Sequence, residues 1–434
     1  MKKNKLVTFT AGLALALSLT ACRNANPTAA KADANGSGAF ATGHYRNLFV
    51  EDGHSQAEVD AKINASFQQL FHGDPDTEAV YFPAGTNTNG PLAYIKDIGD
   101  GDVRSEGISY GMMIAVELNK KAEFDALWNW AKTFMYRDAT NSPAYGYFSW
   151  SMKTNGTPND EMPAPDGEEY FATSLYFASG RWGNGMGIYN YHAEADRLLD
   201  FIKNRKIIIQ IVPTATKIAT NTVGAMFDPN YKMVRFTPFT NSWDHTDPSY
   251  QLPAFYELWA RWGPEKDREF WSQAASASRK FFPRAANQTT GLTSDYANFD
   301  GTPWRAWWNT NSDIFQYDSW RTAMNWSVDW AWWAKDNRER RLSDRIQAFF
   351  ESQGTNYGNR FKLNGQVVDK DHSAGLAVMN AVASLAATHP RSREFVEILW
   401  DMPTPHGHWR YYDGMLYMLG MLHCSGEFRI WTPQ

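Results

Sequence analysis

Asp102-Val103-Arg104-Ser105-Glu106-Gly107-Ile108-Ser109-Tyr110-Gly111-Met112 is the stretch on which the reading of this chain turns. Ser105 offers an N-cap hydroxyl, and Ile108, Met112, Ala115 and Val116 then recur on one helical face. Glu106 therefore stands in the first turn of an apolar helix, between an arginine and a glycine. At the mouth of a helical bundle such a carboxyl is partly desolvated, which raises its pKa and keeps it protonated as a general acid. The plainer account is a first-turn carboxylate that complements the helix dipole.

Two further carboxylates stand in comparable settings. Pro163-Ala164-Pro165-Asp166-Gly167-Glu168-Glu169-Tyr170-Phe171 leads from a stiff turn into an apolar helix, with Asp166 expected as its cap and Glu169 completing a capping box. Tyr317-Asp318-Ser319-Trp320-Arg321 opens the aromatic segment that runs to Trp333. Capping explains each acid singly. Three acids at helix N-termini among tryptophans point to a carboxylate-lined cleft with aromatic walls.

Helical signals recur along the chain, roughly at Gly107–Asn119, Glu123–Tyr136, Glu168–Ser179, Ala193–Lys203, Pro248–Trp262 and Glu265–Phe282. Later ones cover Ser319–Asp336, Ser343–Glu351, Ala374–Ala387, Ser392–Trp400 and Asp413–His423, and Ser55 with Glu58 makes a capping box for an earlier helix. Strand-like alternation is scarce, with Ile207–Val212 and Met233–Phe236 the main exceptions. The pattern predicts an all-α domain of about a dozen helices without an internal linker; periodicity alone permits a closed barrel or an α-solenoid.

Residues 1–21 read as a lipoprotein signal peptide, with Lys2, Lys3 and Lys5 before an apolar run from Leu6 to Leu19. The run ends in Leu19-Thr20-Ala21-Cys22, a lipobox that makes Cys22 the lipidated residue. Residues 22–40 read as a flexible tether, and 41–434 as one domain. No aspartate follows Cys22, which in a Gram-negative host favours the outer membrane over the inner one. With Cys22 acylated, Cys424 has no disulfide partner and is expected as a buried small apolar residue. The expected product is an exported, membrane-anchored lipoprotein, at the periplasm or the cell surface. The net charge of −5, without a dominant basic patch, argues against nucleic acid as a partner. The 19 tryptophans suit a polysaccharide cleft or a large helical core; Trp150, Trp320 and Trp409, beside the polar motifs, are the ones expected in the cleft.

Taken together and in this order, the three acidic segments resemble the family 8 glycoside hydrolases, inverting enzymes on an (α/α)6 barrel. Tyr45-Arg46-Asn47-Leu48-Phe49, Phe177-Ala178-Ser179-Gly180-Arg181-Trp182-Gly183, Asp247-Pro248-Ser249-Tyr250-Gln251-Leu252-Pro253 and Arg410-Tyr411-Tyr412-Asp413 extend the likeness from about Tyr45 to Trp431. The xylan-active branch is the most similar, and xylo-oligosaccharides or xylan are the implied substrates. The resemblance implies Glu106 as general acid, Asp318 as general base and Asp166 as a third carboxylate that distorts the sugar. It also implies Tyr250 as the residue that positions the water. Arg321, three residues beyond Asp318 on the same helical face, supports the base. Asp313 is the alternative base. Arg104, Tyr110, Trp150, His372, Tyr411 and Tyr412 are the expected substrate-binding residues. No cofactor and no metal are called for.

Exo-acting relatives block the cleft with a loop carrying Leu-His-Pro; here Asp371-His372-Ser373 stands in its place. His372 is kept, able to bond a terminal anomeric hydroxyl, while loss of the proline leaves the loop less kinked. The overall likeness places an exo-oligoxylanase that releases xylose from the reducing end ahead of an endo-xylanase. A non-catalytic glycan-binding lipoprotein would keep the tryptophans but lose an acid or base, and all three carboxylates are present. A metalloenzyme is suggested only by His406-Gly407-His408, without His-Glu-x-x-His or a cysteine cluster. A lyase would want a basic cleft, whereas the arginines here stand beside carboxylates.

Overall fold

A computed structural model describes residues 37–213 and 218–434. The signal peptide, Cys22 and most of the tether lie outside the described residues. Among those residues, twelve helices of nine residues or more follow one another: α1 (Gln56–His72), α2 (Ser105–Glu117), α3 (Lys121–Trp130), α4 (Pro165–Trp182), α5 (Tyr191–Asn204), α6 (Pro253–Trp262), α7 (Arg268–Ala285), α8 (Arg321–Trp333), α9 (Asn337–Gln353), α10 (Ala374–Val382), α11 (Ser392–Asp401) and α12 (Arg410–Cys424).

The even-numbered helices form an inner ring. α2 packs on α4, α8 packs on α6 and α10, and α12 packs on α10 and on α2, which closes the circle. Tyr256 and Trp259 of α6 reach Glu169 and Thr173 of α4 through hydrogen bonds of 2.6 and 3.1 Å. Each odd-numbered helix packs outside an inner one: α3 on α2, α5 on α4, α7 on α6, α9 on α8, α11 on α10 and α1 on α12. The fold is an (α/α)6 barrel, and contact between α12 and α2 decides against the solenoid.

Sequence sorts the two rings. α2 is buried almost all round, from Ser105 through Glu117 with Glu106 the half-buried exception, as a helix apolar on every face must be. α5 buries one stripe, Tyr191, Ala195, Leu198, Leu199 and Ile202, at helical spacing, and gives the rest to solvent. Aromatic rings fill the axis: Tyr110 meets Tyr170 at 4.6 Å, Tyr170 meets Phe255 at 5.1 Å, Phe255 meets Trp332 at 6.1 Å and Trp332 meets Phe428 at 5.6 Å. Burying one such ring removes roughly 150–250 Å², about 4–6 kcal/mol before entropy is counted. At the far end Trp431 donates to Glu117 at 2.8 Å, and the Arg181 guanidinium covers its ring at 4.0 Å. Cys424 is fully buried in α12, as expected.

Local expectations fare unevenly. The Ser55–Glu58 capping box is present. Ser105, however, is the first helical residue rather than the cap, and its hydroxyl is buried without a partner among the described residues. Ala164 occupies the cap of α4 with Pro165 at N1, which puts Asp166 and Glu169 inside the helix, where no capping box forms. α6 starts at Pro253, because Pro248–Tyr250 is a separate 3-10 turn capped by the Asp247 side chain. The first expected strand spans Ile208–Pro213 and pairs antiparallel with Ile218–Val223; the second shrinks to Met233–Val234. The hairpin of Tyr81–Asn87 with Gly90–Ile95 was not foreseen.

Candidate active site

The N-termini of the inner helices converge at one end of the barrel. Glu106 comes from α2, Asp166 from α4, the Pro248–Tyr250 turn precedes α6, Asp318 and Arg321 open α8, and Tyr411 opens α12. Ser373, just before α10, donates to Asp413 of α12 at 2.7 Å. Each terminus contributes partial positive charge, so this end of the barrel suits carboxylates.

Arg321 is the hub. Its Nη1 donates to Glu106 Oε2 and to Asp166 Oδ2, both at 3.0 Å, and to the Tyr110 hydroxyl. Its Nη2 lies 2.8 Å from Asp318 Oδ1 and 3.3 Å from Ser249 Oγ. One guanidinium thus joins the three acids singled out from the sequence. Burial pushes the Glu106 carboxyl up to about 7 against the pull of Arg321, with Asp166 and Asp318 adding to the rise. Asp166 is lifted to about 6, again chiefly by burial. Glu106 keeps 16% of its side chain exposed and Asp318 keeps 31%, so both remain open to a ligand.

Glu106 has a second partner, the Tyr411 hydroxyl, 3.0 Å from Oε1. The approach requires a bare backbone: a Cβ on Gly107 would lie 2.7 Å from the Tyr411 ring. Gly167 does the same for α4, where a Cβ would meet Ser105 Oγ at 2.6 Å. Both glycines let the helices carrying the acids pack closely.

Two acids not singled out from the sequence stand behind Asp318. Asp247, Asp295 and Asp318 each offer an oxygen within 4.8 Å of the others. Asp247 Oδ1 accepts from Ser249 N at 2.7 Å and Asp295 Oδ2 from Gln316 at 3.0 Å, while the other oxygen of each is buried without a partner among the described residues. An all-oxygen set of this kind suits a hard divalent cation. Protonation accounts for it equally well: burial and the neighbouring carboxylates hold Asp247 and Asp295 well above the usual carboxylate range. Asp247 had a faint signal, an Asp-Pro step before a helix. Asp295 lies in a loop with no periodicity to mark it.

The other expected residues divide. Arg104 pairs with Asp97 at 3.1 Å and Asp102 at 3.2 Å, and faces the half-buried Trp150 ring at 5.8 Å. Tyr110 is 1% exposed, so its hydroxyl holds Arg321 from below. Tyr412 donates to the Tyr317 carbonyl at 3.2 Å. His372 is exposed, with Nδ1 3.0 Å from the Tyr357 carbonyl. Trp320, expected in the cleft, is instead 3% exposed; its N–H donates to Asn359 and its ring backs Tyr317 and Tyr412. The exposed ring there is Tyr317, at 47%, held at φ +36°, a left-handed conformation that costs energy for an aromatic residue and marks functional sites. Trp409 lies 71% exposed. Asp313 pairs with Arg305 at 2.6 Å rather than with Arg321.

The family model for glycosyl hydrolases family 8 matches residues 88–426. A reducing-end xylose-releasing exo-oligoxylanase, Rex8A of Paenibacillus barcinonensis, is 40% identical over 398 residues, covering 91% of this chain and 99% of that protein. A family 8 enzyme from Teredinibacter turnerae in complex with xylobiose superposes with a TM-score of 0.89 at 54% identity, covering 91% of this chain and 100% of that one. A catalytic mutant of a xylanase from the same organism, in complex with xylohexaose, gives 0.89 at 53% identity with the same coverage.

Proposed function

The chain belongs to glycosyl hydrolases family 8, and from that premise we propose that it hydrolyses β-1,4-xylosidic bonds with inversion, releasing xylose from the reducing end of xylo-oligosaccharides. The observation that carries the reading is the Arg321 bridge. It holds a carboxyl poised at about 7, Glu106, and a second carboxylate, Asp318, on different nitrogens of one planar group.

Glu106 donates its proton to the glycosidic oxygen as the bond to the anomeric carbon breaks. Asp318 takes a proton from a water whose oxygen forms the new bond from the opposite face, so the configuration inverts. Inverting pairs stand roughly 6.5–9.5 Å apart to admit that water. Asp166, 4% exposed beside both, stabilises the positive charge that develops on the sugar ring. Tyr250, whose ring faces the Arg321 guanidinium at 5.8 Å, helps hold the water. Tyr317 offers its exposed ring to a sugar face. No step calls for a metal.

Proton NMR of xylotriose hydrolysis tests this assignment. The newly formed reducing end emerges as the α-anomer and mutarotates afterwards; a β-anomer produced first would contradict it.

A second reading, an endo-xylanase with an open cleft, is favoured by one stretch of backbone. Ser373 sits at φ −123°, which a prolyl ring does not permit, so the loop around His372 takes its own path. The higher identity to the xylanase crystallised with xylohexaose points the same way. Against it, Asp413 accepts from both Ser373 and Gly375 N, at 2.7 and 2.8 Å, which fixes the loop without a proline. Export as a lipoprotein anchored through Cys22, in the outer membrane, fits oligosaccharides released from a polysaccharide too large to enter the cell. Labelling with a palmitate analogue, lost in C22A, tests the anchor.

A further inference from the structure

Glu169 and Tyr256 take no part in the steps above, yet both are fully buried beside the acids. Glu169 lies on α4 almost one turn beyond Asp166, and Tyr256 lies in the first turn of α6. The Tyr256 hydroxyl is 2.6 Å from Glu169 Oε1 and 3.0 Å from the main-chain carbonyl of Tyr250. A phenol has one proton, and a carbonyl has none to give. If Tyr256 donates to Glu169, it turns lone pairs on the Tyr250 carbonyl. If it donates to that carbonyl, Glu169 must supply the proton for the other bond.

The surroundings choose the second arrangement. Glu169 makes no ion pair among the described residues, and its Oε2 is buried without a hydrogen-bond partner. An ionised carboxylate there would have a single neutral donor to replace its hydration, a far costlier state than the protonated acid. Burial accordingly holds the Glu169 carboxyl well above the usual carboxylate range. With the proton on Glu169, the chain Glu169 O–H to Tyr256 Oη, then Tyr256 O–H to Tyr250 O, satisfies both contacts.

The chain ends on the turn that carries Tyr250. Asp247 Oδ1 accepts from Ser249 N at 2.7 Å, Asn325 donates to Ser249 O at 2.5 Å, and Tyr256 donates to Tyr250 O. The turn is thus held at three successive points, from its own cap, from α8 and from α6. We propose that Glu169 and Tyr256 are a positioning pair: a neutral carboxylic acid that, through a tyrosine, fixes the Tyr250 main chain and so the placement of its phenol beside the reacting water. The catalytic consequence rests on the water-holding role given to Tyr250 above.

The test uses full-length Y256F, E169L, E169Q and Y250F, with kcat and KM measured on xylotriose. Y256F and E169L lose about ten- to a hundredfold in kcat, the scale of one buried hydrogen bond, while KM changes by less than about threefold. E169Q restores kcat to within about threefold of wild type, because its amide N–H donates to Tyr256 in place of the acid. The infrared difference spectrum, wild type minus E169Q, shows the carbonyl stretch of a neutral carboxylic acid. Wild-type kcat in Y256F, or carboxylate bands in place of the acid band, would overturn the proposal. Y250F separates the two readings. Its kcat falls at least as far as that of Y256F; if it did not fall, the water-holding role would be lost, while the infrared band would still decide the proton on Glu169.

Discussion

Tyr411 reaches Glu106 Oε1 at 3.0 Å over the bare backbone of Gly107, the residue next in sequence to the acid. The contact steadies the carboxyl on the side away from Arg321. Y411F removes one hydrogen bond to a partly buried acid, and G107A pushes the ring aside. Each lowers kcat/KM on xylotriose about five- to a hundredfold. An unchanged kcat/KM in both variants would show that Tyr411 only fills space.

Glu106, poised at about 7, sets the alkaline limb of the pH profile. A general acid works protonated, so kcat/KM falls as pH rises through about 7. E106Q abolishes turnover and leaves xylo-oligomer binding within about threefold in calorimetry, because the amide fills the same space. Appreciable turnover in E106Q would move the acid elsewhere.

The choice of base is tested by a pair of variants. D318N, which leaves Arg321 without one of its three carboxylate partners, abolishes turnover. D313N breaks the surface pair with Arg305 and keeps wild-type kcat. The reverse pattern would transfer the role to Asp313.

Replacing Arg321 with leucine strands Glu106, Asp166 and Asp318 without their shared cation. Breaking a buried pair in this way costs about 3–5 kcal/mol at neutral pH. The sign of its pH dependence follows from the carboxyls. With the cation gone, the folded pKa values of Glu106 and Asp166 rise further above the unfolded ones. Stability is then fully present below about pH 4, near the unfolded value, and is lost as pH rises through the folded values. Urea midpoints at pH 4 and pH 7 check this: R321L approaches wild type at pH 4 and falls well short at pH 7.

Much of the architecture was legible because periodicity reports helices directly. The apolar runs at Gly107–Asn119, Glu168–Ser179 and Ser319–Asp336 became inner-ring helices, and the three acids at their starts meet as the motif order implied. The errors share one cause. Ser105, Asp166 and Glu169 follow capping patterns, which are rules of local sequence, yet at this end of the barrel partners come from other helices. Arg321 takes Asp166, Tyr256 takes Glu169, and close packing of α2 on α4 leaves Ser105 without a bond. Asp295 escaped notice because nothing local separates a loop aspartate that joins a cluster from one that faces water. Trp320 was misplaced for a related reason: the exposed member of Tyr317-Asp318-Ser319-Trp320 is set by a left-handed backbone at Tyr317 that the sequence does not announce.

The most direct test of the central claim is a time course on xylohexaose labelled at its reducing end. Labelled xylose appearing first and alone, with unlabelled xylopentaose beside it, is the result expected of an enzyme that trims the reducing end. Labelled xylobiose and xylotriose appearing early would contradict it and make the protein an endo-xylanase with an open cleft.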